Sequence, residues 1–111
     1  MNNKLTCLLL GLWMAVAWAP PALAAEAKSG KATYDKLCAS CHGADGKGNP
    51  AMTKVFGEKE LNITTKATSQ KKDDELLKVI TEGKGKMPAS GKGLSKQEQK
   101  EVLGYVRFLA K

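Results

Sequence analysis

Cys38-Ala39-Ser40-Cys41-His42 places two thiols and an imidazole within five residues, and Gly43 follows directly. The whole chain of 111 residues has three cysteines and one histidine. Nearly all of its soft-ligand chemistry is therefore gathered at one point. A structural zinc site needs four ligands, typically two separated pairs, and no second Cys or His pair exists to complete one. A thioredoxin-like redox pair needs C-x-x-C beside a βαβ pattern, and no strand pattern is legible. A plain structural disulfide would not require a histidine directly after the second cysteine.

The third cysteine, Cys7, belongs to a different kind of segment. Lys4 follows a short polar start, and Leu5 to Ala19 is apolar throughout apart from Thr6. Ala22-Leu23-Ala24 then gives the small-x-small pattern of a signal-peptidase site. Charge, apolar run and cleavage site together predict a secretory leader, residues 1–24, removed on export. The run is shorter than the ~20 residues that span a bilayer, which disfavours a retained membrane anchor. A lipid-attached cysteine ends the apolar run, whereas Cys7 opens it. Cys7, Trp13 and Trp18 are thus expected to leave with the leader.

The predicted mature domain, 25–111, keeps four aromatic residues: Tyr34, Phe56, Tyr105 and Phe108. So thin a core is marginal for a small domain unless something extra fills its centre. Export also places Cys38 and Cys41 in an oxidising compartment.

Three helices are predicted. The first covers about 29–40, with Gly30, Tyr34 and Leu37/Cys38 on one face. The second covers about 73–82; its acids Asp73, Asp74 and Glu75 suit the positive end of the helix dipole, and Gly83 is a natural stop. Leu76, Leu77 and Ile80 form its apolar stripe. The third covers about 96–110, opened by the Ser95/Glu98 capping box, with Val102, Tyr105/Val106 and Leu109 inward. Gly104 within it costs about 1 kcal/mol relative to alanine. Two explanations stand: a close approach, with Gly30 opposite, or an ordinary exposed glycine. Residues 43–70 and 83–93 read as long loops, unusual in a small domain unless they wrap something.

C-x-x-C-H is the attachment motif for covalent haem. Residues three apart share a helix face, so Cys38 and Cys41 can each reach one vinyl group, while His42 supplies the proximal nitrogen. Haem would also supply the missing apolar centre. For the sixth ligand the mature chain offers Met87, in Gly83-Lys84-Gly85-Lys86-Met87-Pro88, and Met52. Met87 is preferred because its loop has little core to fill; Met52 or an open position are the alternatives. His42 needs an acceptor for its other ring nitrogen, and Asn49 or Pro50 is the expected carbonyl, since Gly48-Asn49-Pro50 brings the chain back.

From about residue 29 onward the chain resembles the small class I cytochromes c, the soluble bacterial monohaem carriers. The matching residues are Gly30 and Tyr34, then Cys38-Ala39-Ser40-Cys41-His42-Gly43, then Pro50, Met87-Pro88, and finally Val102 and Tyr105. The resemblance implies an all-α fold, with three main helices and long loops wrapped around one covalent haem. It implies crossing first and last helices, which gives Gly30 and Gly104 a packing role. Phe56, Leu61 and Ile63 are its candidate haem-wall residues.

A His/Met-ligated iron has no open position and suits one-electron transfer rather than an enzyme's chemistry. The expected function is a periplasmic electron carrier, monomeric and without a stable membrane anchor. The formal charge is +7, or +6 without Lys4. Lys84, Lys86, Lys92 and Lys96 surround the methionine loop and would steer redox proteins with acidic docking surfaces. Nucleic acid is disfavoured, because no aromatic residues interleave the lysines. The competing functions are a haem-based gas sensor, a dedicated subunit of one enzyme complex, and a haem-free binding module. Asn62-Ile63-Thr64 is a formal glycosylation sequon, taken here as chance.

Overall fold

The computed structural model describes residue 15 and residues 21–111, with side chains from 28 onward. The predicted leader lies almost wholly outside the described residues, together with Cys7, Trp13 and Trp18. The elements are α1 (Pro21–Leu37), α2 (Ala39–His42), α3 (Pro50–Phe56), α4 (Glu58–Leu61), α5 (Lys66–Ser69), α6 (Asp73–Glu82) and α7 (Lys96–Leu109). The only β pairing among the described residues is an isolated bridge between Lys84 and Met87. The fold is all-α, as expected. No described helix is long and apolar enough to cross a membrane.

The two helices after residue 70 lie where the periodicity put them. Asp73, Asp74 and Glu75 fill the first turn of α6, and Leu76 and Ile80 are its buried residues. The capping box of α7 is complete: Glu98 N–H donates to Ser95 Oγ at 3.1 Å, and Ser95 N–H donates to Glu98 Oε2 at 2.8 Å. The first helix differs at both ends. It starts at Pro21, and it stops at Leu37 because Cys38, at φ −120° and ψ −35°, offsets the following turn into α2.

The expected loop 43–70 contains three short helices. Each has only four to seven residues, too few to show a 3.6-residue period. One start signal was present: Asn49 caps α3 by accepting Ala51 N–H at 3.0 Å, and Pro50 occupies the first turn, the position a proline tolerates best. The sequon is closed on itself, with Asn62 Oδ1 accepting from Thr64 N–H and Thr64 Oγ1 at 3.0 and 2.6 Å.

The core is Tyr34, Ile80, Val102, Tyr105 and Val106, with Cys38, Ala39, Ile63, Leu94 and Leu109 packed against it. Its centre is the crossing of α1 and α7. A Cβ on Gly30 would lie 2.1 Å from the Glu101 carbonyl oxygen, whereas one on Gly104 would meet nothing within 4 Å. Gly30 therefore permits the crossing, but its opposing surface is the backbone at Glu101. The packing role expected for Gly104 is not found; Gly104 is exposed.

Arg107 adds a long-range tie that the sequence did not announce. Its guanidinium bonds Asp73 Oδ1 and the carbonyls of Thr68, Ser69 and Lys71. α7 thereby holds the whole turn between α5 and α6.

The two glycines predict opposite outcomes for one substitution. Gly30→Ala forces two backbones apart and should destabilise by about 2 kcal/mol or more. Gly104→Ala should stabilise by about 0.5–1 kcal/mol, the gain in helix propensity alone. Denaturant unfolding of both variants checks this.

Candidate functional site

α1 delivers the chain to the cysteine motif through Tyr34. Its side chain is fully buried, its ring packs on Tyr105 at a centroid distance of 5.1 Å, and its hydroxyl donates to Gly43 O at 2.7 Å. Burial raises the Tyr34 phenol well above its ordinary pKa, so it stays a donor. The sequence placed Tyr34 on the inner face but gave no sign of this bond.

Cys38, Cys41 and His42 come together on the next turn. Cys41 N–H and His42 N–H both donate to Cys38 O, at 3.3 and 3.0 Å. Both thiols are free and half-buried. Burial, with a smaller contribution from Cys41, pushes the Cys38 thiol up to about 11. The return of the chain is clamped to the motif: Gly48 N–H donates to His42 O at 2.7 Å, and Asn49 N–H to Cys41 O at 2.9 Å.

His42 Nδ1 lies 2.7 Å from Leu61 O. A carbonyl can only accept, so in the neutral imidazole Nδ1 carries the proton and Nε2 keeps its lone pair. This fixes the tautomer a metal-ligating imidazole needs. The acceptor is not Asn49 or Pro50, as the sequence suggested. Pro50 begins α3, and its carbonyl accepts from Thr53 Oγ1 at 3.0 Å. Asn49 O accepts from Met52 and Thr53 N–H, both at 2.9 Å. Both carbonyls serve α3, and the chain reaches His42 eleven residues further on than Pro50. A backbone acceptor carries no residue signature, so nothing in the sequence singled out Leu61 for this role.

Met87 sits in a separate hairpin. Lys84 and Met87 exchange backbone bonds at 3.1 and 3.0 Å. Gly83, at φ +79°, has no room for a side chain, since a Cβ would lie 2.5 Å from Met87 O. The hairpin meets α3 where Lys86 Nζ lies 5.7 Å from the centre of the Phe56 ring. Met87 and Met52 are both half-buried. Leu61 is buried beside the motif's return, and Ile63 packs against the core.

Two free thiols on one turn, followed by an imidazole whose Nδ1 is already satisfied, fit a haem held by two thioethers and one nitrogen. Among the described residues no three His, Cys, Asp or Glu side chains are placed so as to hold a metal ion by themselves.

Comparison with known proteins agrees with this chemistry. Residues 25–106 match the family described as cytochrome c oxidase, cbb3-type, subunit III. A cytochrome c6 of Rippkaea orientalis is 35% identical over 88% of this chain and 84% of its own length. Cytochrome c-554(547) of Halothiobacillus neapolitanus is 32% identical over 78% of this chain and 99% of its own length. A cbb3-type cytochrome c oxidase subunit of Azospirillum brasilense is 36% identical over 78% of this chain but only 29% of its own length. No solved structure matches. The relatives named cytochrome c6 are electron carriers, not enzymes. With its attachment turn, its oriented histidine and these relatives, the chain belongs to the cytochrome c family, as a small class I monohaem c-type cytochrome.

Proposed function

We propose that the chain is exported and works as a periplasmic one-electron carrier, with haem c bound through Cys38 and Cys41 and its iron ligated by His42 and Met87. The observation that carries this reading is the His42–Leu61 bond, which leaves Nε2 as the free donor directly after the second thiol. Haem c supplies a one-electron iron couple when bound. Every other part of the task falls to the chain. Cys38 and Cys41 would hold the haem to the turn. Tyr34 holds the backbone that leaves that turn, and the Leu61 carbonyl holds the imidazole ring plane.

Met87 is the sixth ligand in this reading, and the hairpin supports it. The Lys84 pairing and the close approach of Gly83 to the Met87 carbonyl shape the backbone around Met87, and Pro88 follows it directly. A ligand set kept in both oxidation states would keep reorganisation small, and a thioether joining an imidazole in that set would raise the potential.

Export rests on Lys4, the apolar run from Leu5 and the Ala22-Leu23-Ala24 site, with cleavage near Ala24 or Ala25. The domain would then be 25–111, which agrees with the family match starting at 25. Lys84, Lys86, Lys92 and Lys96 are all exposed. They form the positive surface that would meet acidic redox proteins through a small, transient interface. Coverage of 84% and 99% of the length of these two cytochromes supports a carrier over a dedicated enzyme subunit; the carrier is read as a monomer.

Spectra of the purified protein test the ligand set. The ferric form should show the weak far-red sulfur-to-iron band, lost in Met87→Ala and kept in Met52→Ala. A c-type spectrum without that band, together with ready carbon monoxide binding, would replace the carrier with a ligand-binding role. Docking has its own readout. Lys84→Glu with Lys92→Glu should slow association with an acidic redox partner by roughly tenfold at low salt and flatten its ionic-strength dependence. An unchanged salt dependence would move the docking surface elsewhere.

A further inference from the structure

The hairpin that carries Met87 has little to hold its tip. Gly85, at φ +57°, has nothing within 4 Å of where a side chain would begin. The next residue, Lys86, reaches across to another part of the fold. Lys86 Nζ lies 5.7 Å from the centre of the Phe56 ring, inside the ~6 Å range in which a ring face attracts an ammonium. Lys86 directly precedes Met87, so a restraint on Lys86 restrains the Met87 backbone. Phe56 ends α3, and the next helix ends at Leu61, whose carbonyl orients His42.

We propose that Lys86 is a positioning residue for Met87: its ammonium on the Phe56 ring fastens the methionine hairpin to the same α3–α4 segment that orients His42. This deepens the proposed function and rests on its Met87 ligation. One segment then keeps both ligand side chains in register, one through a carbonyl and the other through a ring face. It also gives Lys86 a task distinct from that of Lys84, Lys92 and Lys96, which would contribute charge alone.

Exogenous imidazole tests the restraint without any redox partner, because it competes with the methionine for ferric iron. Binding is followed in the haem-loaded protein by the shift of its main visible absorption, with loss of the far-red band alongside where that band is present. Lys86→Gln and Phe56→Leu should each tighten imidazole binding roughly two- to fivefold, the range a partly exposed ring–ammonium contact supports. Lys86→Arg, which keeps a cation over the ring, should restore wild-type affinity. The double variant Lys86→Gln/Phe56→Leu should bind no more tightly than either single one, since both remove the same contact. Single variants indistinguishable from wild type, or a Lys86→Gln effect that persists in full on the Phe56→Leu background, would overturn the positioning role while leaving Met87 as ligand. Wild-type imidazole affinity in Met87→Ala would instead remove the ligation itself, and this proposal with it.

Discussion

The contact between α1 and α7 at Gly30 sets the distances on which the rest of the molecule depends. Removing one side chain lets the α1 backbone lie against the Glu101 carbonyl. At that separation Tyr34 reaches Tyr105 and is sealed from solvent. Its hydroxyl then emerges at Gly43, directly behind the histidine. A wider crossing would leave a buried phenol without its acceptor, a penalty of about 1–3 kcal/mol, and would loosen the turn that carries both thiols. Helix packing and site geometry are thus one constraint seen at two ends of Tyr34.

The middle of the chain solves a different problem. Residues 43–70 have few large apolar side chains and cannot form a long amphipathic helix. They fold instead as short turns pinned at both ends by backbone bonds: Gly48 and Asn49 to the motif, and Ile63 to Gly46. Arg107 then fixes the turn before α6. These ties cross 34 to 39 residues of sequence, so they join α7 to a part of the chain far from it in sequence. A segment with little intrinsic order becomes a frame because its termini are held.

Much of this was legible in the sequence, and the boundary between what was and was not has a physical cause. The attachment motif, the acids opening α6, the Ser95/Glu98 box and the inward face of α7 are all side-chain signals with fixed spacing. Gly30 was marked correctly, but its partner was not, because Gly104 in a helix looks the same whether it is packed or exposed. The acceptor for His42 was sought near Pro50 and found at Leu61, since a peptide carbonyl belongs to every residue alike. Arg107 gave no signal either: three of its four acceptors are main-chain oxygens. What escaped was chiefly the work done by backbone groups, together with helices too short to have a period.

The bond from His42 to the Leu61 carbonyl bears on how such a site tolerates genetic change. The group that sets the imidazole tautomer is encoded by no codon in particular. A point mutation at 61 alters packing around the buried side chain, yet it leaves a carbonyl at that place in the chain. The electronic character of the histidine is therefore buffered against single substitutions at its own acceptor. Drift in this region would show first as loss of stability, and insertions or deletions between 43 and 61, which shift the register of the chain, would be the events that retune the centre.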